Sequence, residues 1–391
     1  MGTTSDVIVV GGGINGASIA FNLARRGIKV TLVEKDHIAA GPTGRSCAII
    51  RQHYSHQITA RMALRALRIF QNFDDIVGGE CEFRQTGFVL AARTEDVEAL
   101  KANVALQRSV GIDTRILSPQ ELHELEPHAS LEGIAAAAYE PESGYADPYS
   151  TASAYVNRAI ELGAELRTRT RVLSVMVEGS KATGVITDEG RLRAGVVVVA
   201  AGPWTPRLTR QCGIELPLTP CRVQVCLFDR APEIEHHSIL IDAAFGIYVR
   251  PESGTLMLVG SVETEEAEHR VDDPDEFNQA ADFDTVAHYS EQLTRRYPAM
   301  SSGSYHNGYA SLYDVSPDWH PILDELPGVD NLYCCAGSSG HGFKLAPVVG
   351  EMMAGLVING KGPGDEIEMF GFSRFMEGNL ANGKYPHKIL G

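Results

Sequence analysis

The chain of 391 residues has little of several things, and each shortage removes a class of protein. No apolar run approaches the ~20 residues that a membrane-spanning helix needs. Basic residues are outnumbered, 34 against 50 acidic ones, giving a formal charge of -16. Nucleic acid is thereby excluded as a partner, because phosphates must be met by clustered Lys and Arg. The seven cysteines, at 47, 81, 212, 221, 226, 334 and 335, are odd in number and fit no zinc or disulfide framework. They read as reduced structural thiols, with Cys334 and Cys335 as filler in an apolar strand. No metal site is expected. The start lacks a basic leader with a small-residue cleavage site, so the expected location is cytoplasmic, with no integral membrane segment.

What is present begins at once. Asp6 to Val10 is a β-branched strand, Gly11 to Gly13 a turn, and Ile14 to Arg26 an apolar-faced helix ended by Gly27. Ile28 to Glu34 is a second strand. Gly11-x-Gly13-x-x-Gly16 thus sits between strand and helix, and each glycine has a physical task. Gly11 allows the tight turn, Gly13 lets backbone approach a pyrophosphate, and Gly16 lets helix and strand pack closely. The N–H groups of Ile14 and Asn15 open the helix and face the same phosphates. Glu34 closes the second strand 18 residues beyond Gly16, where its carboxylate can accept from both ribose hydroxyls. The motif identifies an adenine dinucleotide and leaves FAD and NAD open.

Two later segments repeat the strand-to-glycine form. Ala194 to Ala200 runs into Ala201-Gly202-Pro203-Trp204, and Asn331 to Ala336 runs into Gly337-Ser338-Ser339-Gly340-His341-Gly342, followed by a helix to about Val357. Helices are also expected over 56–76, from Thr94 to about Val110, after Ser118-Pro119, after Asp147-Pro148 and over 284–296. Strand-rich sequence fills 217–260. The fold class is therefore α/β plus α+β, a Rossmann-like dinucleotide domain interleaved with a mixed-sheet substrate domain. The first is expected over 1–80, 149–215 and 309–365, the second over 81–148 and 216–308, and 366–391 as a C-terminal tail.

These motifs, with Thr43-Gly44-Arg45-Ser46, Ile49-Ile50-Arg51 and the run Gly340-His341-Gly342-Phe343-Lys344, resemble the D-amino-acid oxidase superfamily. The sequence is most similar to its sarcosine oxidase-like branch, which includes β subunits of heteromeric sarcosine oxidases and amino-acid dehydrogenases. The resemblance covers nearly the whole chain and implies FAD rather than NAD. It implies that Lys35 follows Glu34 at the adenosine end, and that Thr43, Gly44, Arg45, Ser46, Cys47 and Ala48 lie along the flavin. It implies that Val172 holds the adenine through its backbone and that Ala201, Gly202 and Trp204 pass near the dinucleotide. Gly337, Gly340, His341, Gly342, Phe343 and Lys344 would line the pyrimidine end, where helix-start N–H groups stabilise negative charge.

Arg51 and Lys344 match the family's pair of carboxylate-binding cations, a bidentate fork and a point charge. Read singly, each is better taken as bland, Arg51 as a surface ion pair and Lys344 as a helix-start lysine; the two motifs together favour the carboxylate role. Tyr248 and Tyr313 are candidates for pocket walls, with core packing as the alternative. Ser311 stands where monomeric sarcosine oxidases carry a flavin-linking cysteine, so the implied FAD is non-covalent. Met257 is aligned with the lysine those oxidases place over the ring, which favours a dehydrogenase. The implied reaction is oxidation of an amino acid or N-alkyl amino acid by hydride transfer to flavin N5, giving an imine, with dioxygen or another acceptor. The alternatives are hydroxy-acid or glycerol-phosphate oxidation, and a flavoprotein subunit passing electrons to partner subunits.

Overall fold

The computed structural model describes residues 5–263, 269–360 and 365–381; the portions of the expected domains and tail at 1–4, 264–268, 361–364 and 382–391 lie outside it. Among the described residues, no helix is long and apolar enough to cross a membrane.

The first sheet is built on five parallel strands in the order Leu332–Ala336, Gly190–Val199, Ser5–Val10, Val30–Val33, Glu165–Arg167. Val7 to Val10 and Val30 to Val33 are buried without alternation, as strands covered on both faces must be. One face carries Val7, Val9, Leu32 and Val198 against the helices Ile14–Ala24, Pro148–Glu161 and Gly342–Asn359. The first of these packs so closely on the last that a side chain at Gly350 would lie 2.1 Å from Ser18 Oγ. The other face carries Ile8, Val10, Val197 and Val199 beneath the antiparallel strands Val172–Glu178 and Lys181–Thr187.

The second sheet has eight strands in the order 304–315, 219–229, 256–261, 247–251, 239–242, 88–92, 136–140, 115–117. All neighbours are antiparallel except 239–242 with 88–92. One face buries Val89, Cys226, Val249 and Val259 against the helix Phe283–Arg296. The opposite face carries Val225, Tyr248 and Leu258. A small three-stranded sheet (Ile49–Ile50, Gly144–Tyr145, Arg84–Gln85) joins segments of the two halves.

Local signals acted as read at several helix starts. Ser118 forms a capping box with Glu121, and Asp147 accepts from Ser150 N at 2.6 Å ahead of Pro148. Four expectations need correction. Thr94 caps nothing; Thr94–Asp96 is a single 3₁₀ turn and the helix begins at Val97. The helix expected over 56–76 breaks at Asn72 into Gln57–Gln71 and Phe73–Ile76. The strand Ser304–Val315 pairs along its whole length with Thr219–Asp229, so the return to the first domain falls after Val315, not at 309. Finally, the described part of the expected tail, 366–381, is docked on the fold. Phe370 and Phe372 are buried, and Arg374 pairs bidentately with buried Asp318 at 2.7 and 3.0 Å.

Candidate active site: a glycine-walled cleft backed by two buried cations

A cavity of about 670 Å³ runs along the C-terminal ends of the parallel strands and under the second sheet. Gly11, Gly13, Ile14 and Asn15 line it, as do Glu34, Lys35, Val172, Ala201, Gly202 and Trp204. Thr43, Arg45, Ser46, Cys47, Gly340, Gly342, Phe343, Tyr248 and Tyr313 line it too.

The glycines divide by what a side chain would strike. Gly11 has φ of 111°, and an added Cβ would lie 2.4 Å from Ala200 O; at Gly16 it would lie 1.9 Å from Gly11 O. Gly16 therefore serves helix-on-strand packing and does not line the cleft, as its expected role requires. At Gly13 the only near atom is Thr43 Oγ1 at 3.0 Å, so its open side faces the cavity. Gly44 and Gly337 also stand behind the wall, where added side chains would meet Ala39 O at 2.5 Å and Leu218 at 2.8 Å. Ala48 is buried with φ of 50° and shapes the backbone rather than the surface.

Two helix starts converge on this space. Ile14–Ala24 begins at Gly13 and Gly342–Asn359 at His341, and neither has a side-chain cap or an acidic residue in its first turn. The Ile14 N–H, expected to face the phosphates, instead donates to Thr43 Oγ1 at 3.0 Å; the dipole ends of both helices still favour a ligand's phosphate and ring oxygens. The two segments touch: Asn15 Nδ2 donates to Ser338 Oγ at 3.1 Å, while the buried Asn15 Oδ1 has no protein partner. Glu34 accepts from Gly12 N at 2.6 Å and Asp36 N at 2.8 Å, one bond per oxygen, which fixes the carboxylate and leaves lone pairs for hydroxyl donors.

Arg51 lies near enough to Lys344 to act on its charge, and neither residue lines the cavity. They are 4% and 7% exposed. The Arg51 guanidinium lies over the Tyr54 ring at 4.6 Å and donates to His53 O. Lys344 Nζ has a long contact of 3.5 Å to Gly340 O. Burial, then the neighbouring Arg51 charge, lowers its pKa to about 7, with a small opposing pull from Cys47. His341 is also buried and held neutral by burial and these cations; its Nδ1 is 3.1 Å from the Tyr54 hydroxyl. That bond makes it a support for the loop rather than a base in the cleft.

Tyr248 and Tyr313 both line the cavity and lie near enough to influence each other's charge. A side chain at Gly260 would lie 2.4 Å from the Tyr248 ring, and one at Gly340 2.8 Å from the Tyr313 ring, so both glycines make room for the tyrosines. Burial, then Cys47 and Tyr313, raises the Tyr248 hydroxyl well above its ordinary value. Ser311 lines the cavity. Met257 does not: it is buried on the opposite face, beside Val249 and Val259, and the neighbouring residue on the site-facing side is Leu258. Sequence reading also missed Arg171, Arg207, Asp275, Phe277 and Gln279, all of which line the cleft. The arginines flank motifs that were read, whereas 275–279 carries no local signal.

A dinucleotide cleft at the switch from parallel sheet to second sheet, lined by tyrosines and backed by two buried cations, defines a flavin-dependent oxidoreductase. Residues 6–356 match the family model for FAD-dependent oxidoreductases of the DAO type, and the chain belongs to that family. Its cofactor is FAD. Among curated relatives, rat (Rattus norvegicus) mitochondrial dimethylglycine dehydrogenase is 26% identical over 93% of this chain and 44% of its own length. The β subunit of sarcosine oxidase from Rhodobacter capsulatus is 26% identical over 96% of this chain and 89% of its own. This chain thus spans less than half of the first relative and most of the second. Among solved structures, L-proline dehydrogenase from P. horikoshii superposes with a TM-score of 0.90 at 28% identity, covering 97% of this chain and 100% of the other.

Proposed function

We propose that this protein oxidises the C–N bond of an amino acid or N-alkyl amino acid bound at the tyrosine-lined part of the cleft. The observation that carries the reading is the juxtaposition of Arg51 and Lys344. Arg51 also acts on the buried Glu140 carboxylate, but among the described residues no carboxylate is among the charges that shift Lys344, and a buried ammonium beside a second cation favours the arrival of an anion. A substrate carboxylate is such an anion. Arg51 and Lys344, set behind the wall, attract it by their charge, while Tyr248 and Tyr313 line the cleft beside the remainder of the molecule. Bound FAD supplies the two-electron hydride acceptor. The substrate leaves as an imine, which hydrolyses or persists if cyclic. Relatives named for dimethylglycine, sarcosine and proline support an amine over a hydroxy acid. The similarity to a β subunit supports an acceptor reached through a partner, and Ser311 in the cleft supports non-covalent FAD. The reading is tested by anaerobic bleaching of the bound flavin with sarcosine, proline, glycine and D-amino acids. At least one should reduce it; bleaching by hydroxy acids alone would overturn the reading.

The depressed Lys344 pKa fixes the sign of a pH effect. Below about 7 the lysine is charged and assists Arg51; as pH rises through about 7 it loses its proton and its attraction for a carboxylate. Acetate, which has no amine to titrate, should therefore bind less tightly above this pH, read from perturbation of the flavin spectrum. Lys344→Met should bind acetate weakly with no such midpoint. A wild-type profile flat from pH 6 to about 8.5 would contradict the assignment.

A further inference from the structure

The connection between the strand Leu256–Ser261 and the helix Phe283–Arg296 leaves the second sheet and reaches across to the first. It is anchored at both ends on second-sheet strands. Arg222 N donates to His269 O at 2.8 Å and Val271 N to Pro220 O at 2.9 Å; further on, Ala310 N donates to Gln279 O at 2.8 Å. Between these anchors Pro274, Asp275, Phe277 and Gln279 line the same cavity as Gly11 and Val172.

Asp275 is the hub. Its Oδ1 accepts from Lys35 Nζ at 2.8 Å and Trp204 Nε1 at 2.7 Å, and its Oδ2 from Arg207 at 2.7 Å and Arg171 at 3.3 Å. These four donors belong to three separate segments of the dinucleotide domain, each following or preceding a strand of the first sheet. Arg207 also donates to Asp273, the Lys35 ammonium sits 3.6 Å from the Trp204 ring centre, and Arg45 donates to Gln279 Oε1 at 2.6 Å. Burial opposes ionisation of Asp275, but the hydrogen bonds from Lys35, Arg207 and Trp204 outweigh it and hold the carboxyl far below its ordinary range. A stretch without regular helix or strand is thus fixed across the cleft by charge rather than by apolar packing.

We infer that residues 269–282 are a strap that completes the adenosine half of the FAD site, with Asp275 as the latch that must open before flavin leaves. The adenosine half is the relevant one because Lys35 adjoins Glu34 and Arg171 adjoins Val172. The inference rests on FAD lying along the cleft and is independent of what the enzyme oxidises.

Flavin loss from the holoprotein into an ultrafiltrate tests it without substrate. Asp275→Asn keeps an acceptor for Trp204 and removes the charge. At low ionic strength it should lose FAD about tenfold faster, the scale expected when several part-exposed ion pairs are removed together. About 0.5 M NaCl, which shortens the screening length to roughly 4 Å, should bring the wild type toward the variant's rate and leave the variant little changed. Asp272→Asn makes the same charge change on an exposed strap residue with no part in the latch and should keep the wild-type rate. The strap assignment falls if Asp275→Asn releases flavin at the wild-type rate, or if Asp272→Asn speeds release as much.

Discussion

Arg51→Met should raise the substrate concentration for half-maximal anaerobic flavin reduction by roughly tenfold, the scale of losing one unit charge several ångströms from a bound carboxylate. The flavin spectrum and protein yield should stay near wild type, because Arg51 lies behind the cleft wall and its bond to His53 O is to backbone of its own loop. Methionine fills similar volume over the Tyr54 ring without presenting a donor. Arg51→Lys should fall between the two, since it restores charge but not the fork. A second consequence follows from electrostatics. The Arg51 charge helps depress Lys344, so its removal should move the pH midpoint for acetate binding upward from about 7. Unchanged substrate dependence in Arg51→Met would remove this residue from the carboxylate site. An unchanged midpoint would separate it from Lys344.

The parts of this molecule that were legible in sequence are those where one residue type is required by local geometry. Gly11 and Gly16 could be read because a side chain there strikes backbone 2.4 and 1.9 Å away, whatever the rest of the chain does. Ser118 and Asp147 could be read because caps act within one helical turn. Side-chain direction in the second sheet depends instead on distant pairing. Met257 and Leu258 are adjacent, and a slip of one residue exchanges the core face for the site face. The domain return was misplaced for the same reason, because the strand ending at Val315 is held by partners near residue 219. The strap and the docked C-terminal segment escaped notice because polar pairs hold them. Asp275 meets Lys35, and Arg374 meets Asp318, across 240 and 56 residues with no periodic pattern to signal either.

The largest effect on stability is expected at a pair that plays no part in the cleft. Arg296 and Asp242 are both fully buried, joined by Nε to Oδ2 at 2.7 Å and a second bond at 3.0 Å. Further bonds hold each side chain. Arg296 also donates to Ser130 O and, at 3.0 Å, to Glu132 O, and lies over the Phe245 ring; Asp242 Oδ1 also accepts from Ala244 N at 2.9 Å. The pair therefore ties the helix Phe283–Arg296 to the strand Ile239–Asp242 and to the loop at 130–132. Two such charges gain little net stability over apolar residues, because desolvation offsets their attraction, yet removing one leaves the other buried and uncompensated. Asp242→Asn and Arg296→Met should each lower unfolding stability by about 3–5 kcal/mol at fixed FAD concentration. The double variant should cost clearly less than the sum of the two, since neither charge is then stranded. Denaturant titration of the holoproteins decides it: single variants within about 0.5 kcal/mol of wild type would mean that water or rearrangement relieves the stranded charge, and additive losses would mean that the two side chains act independently.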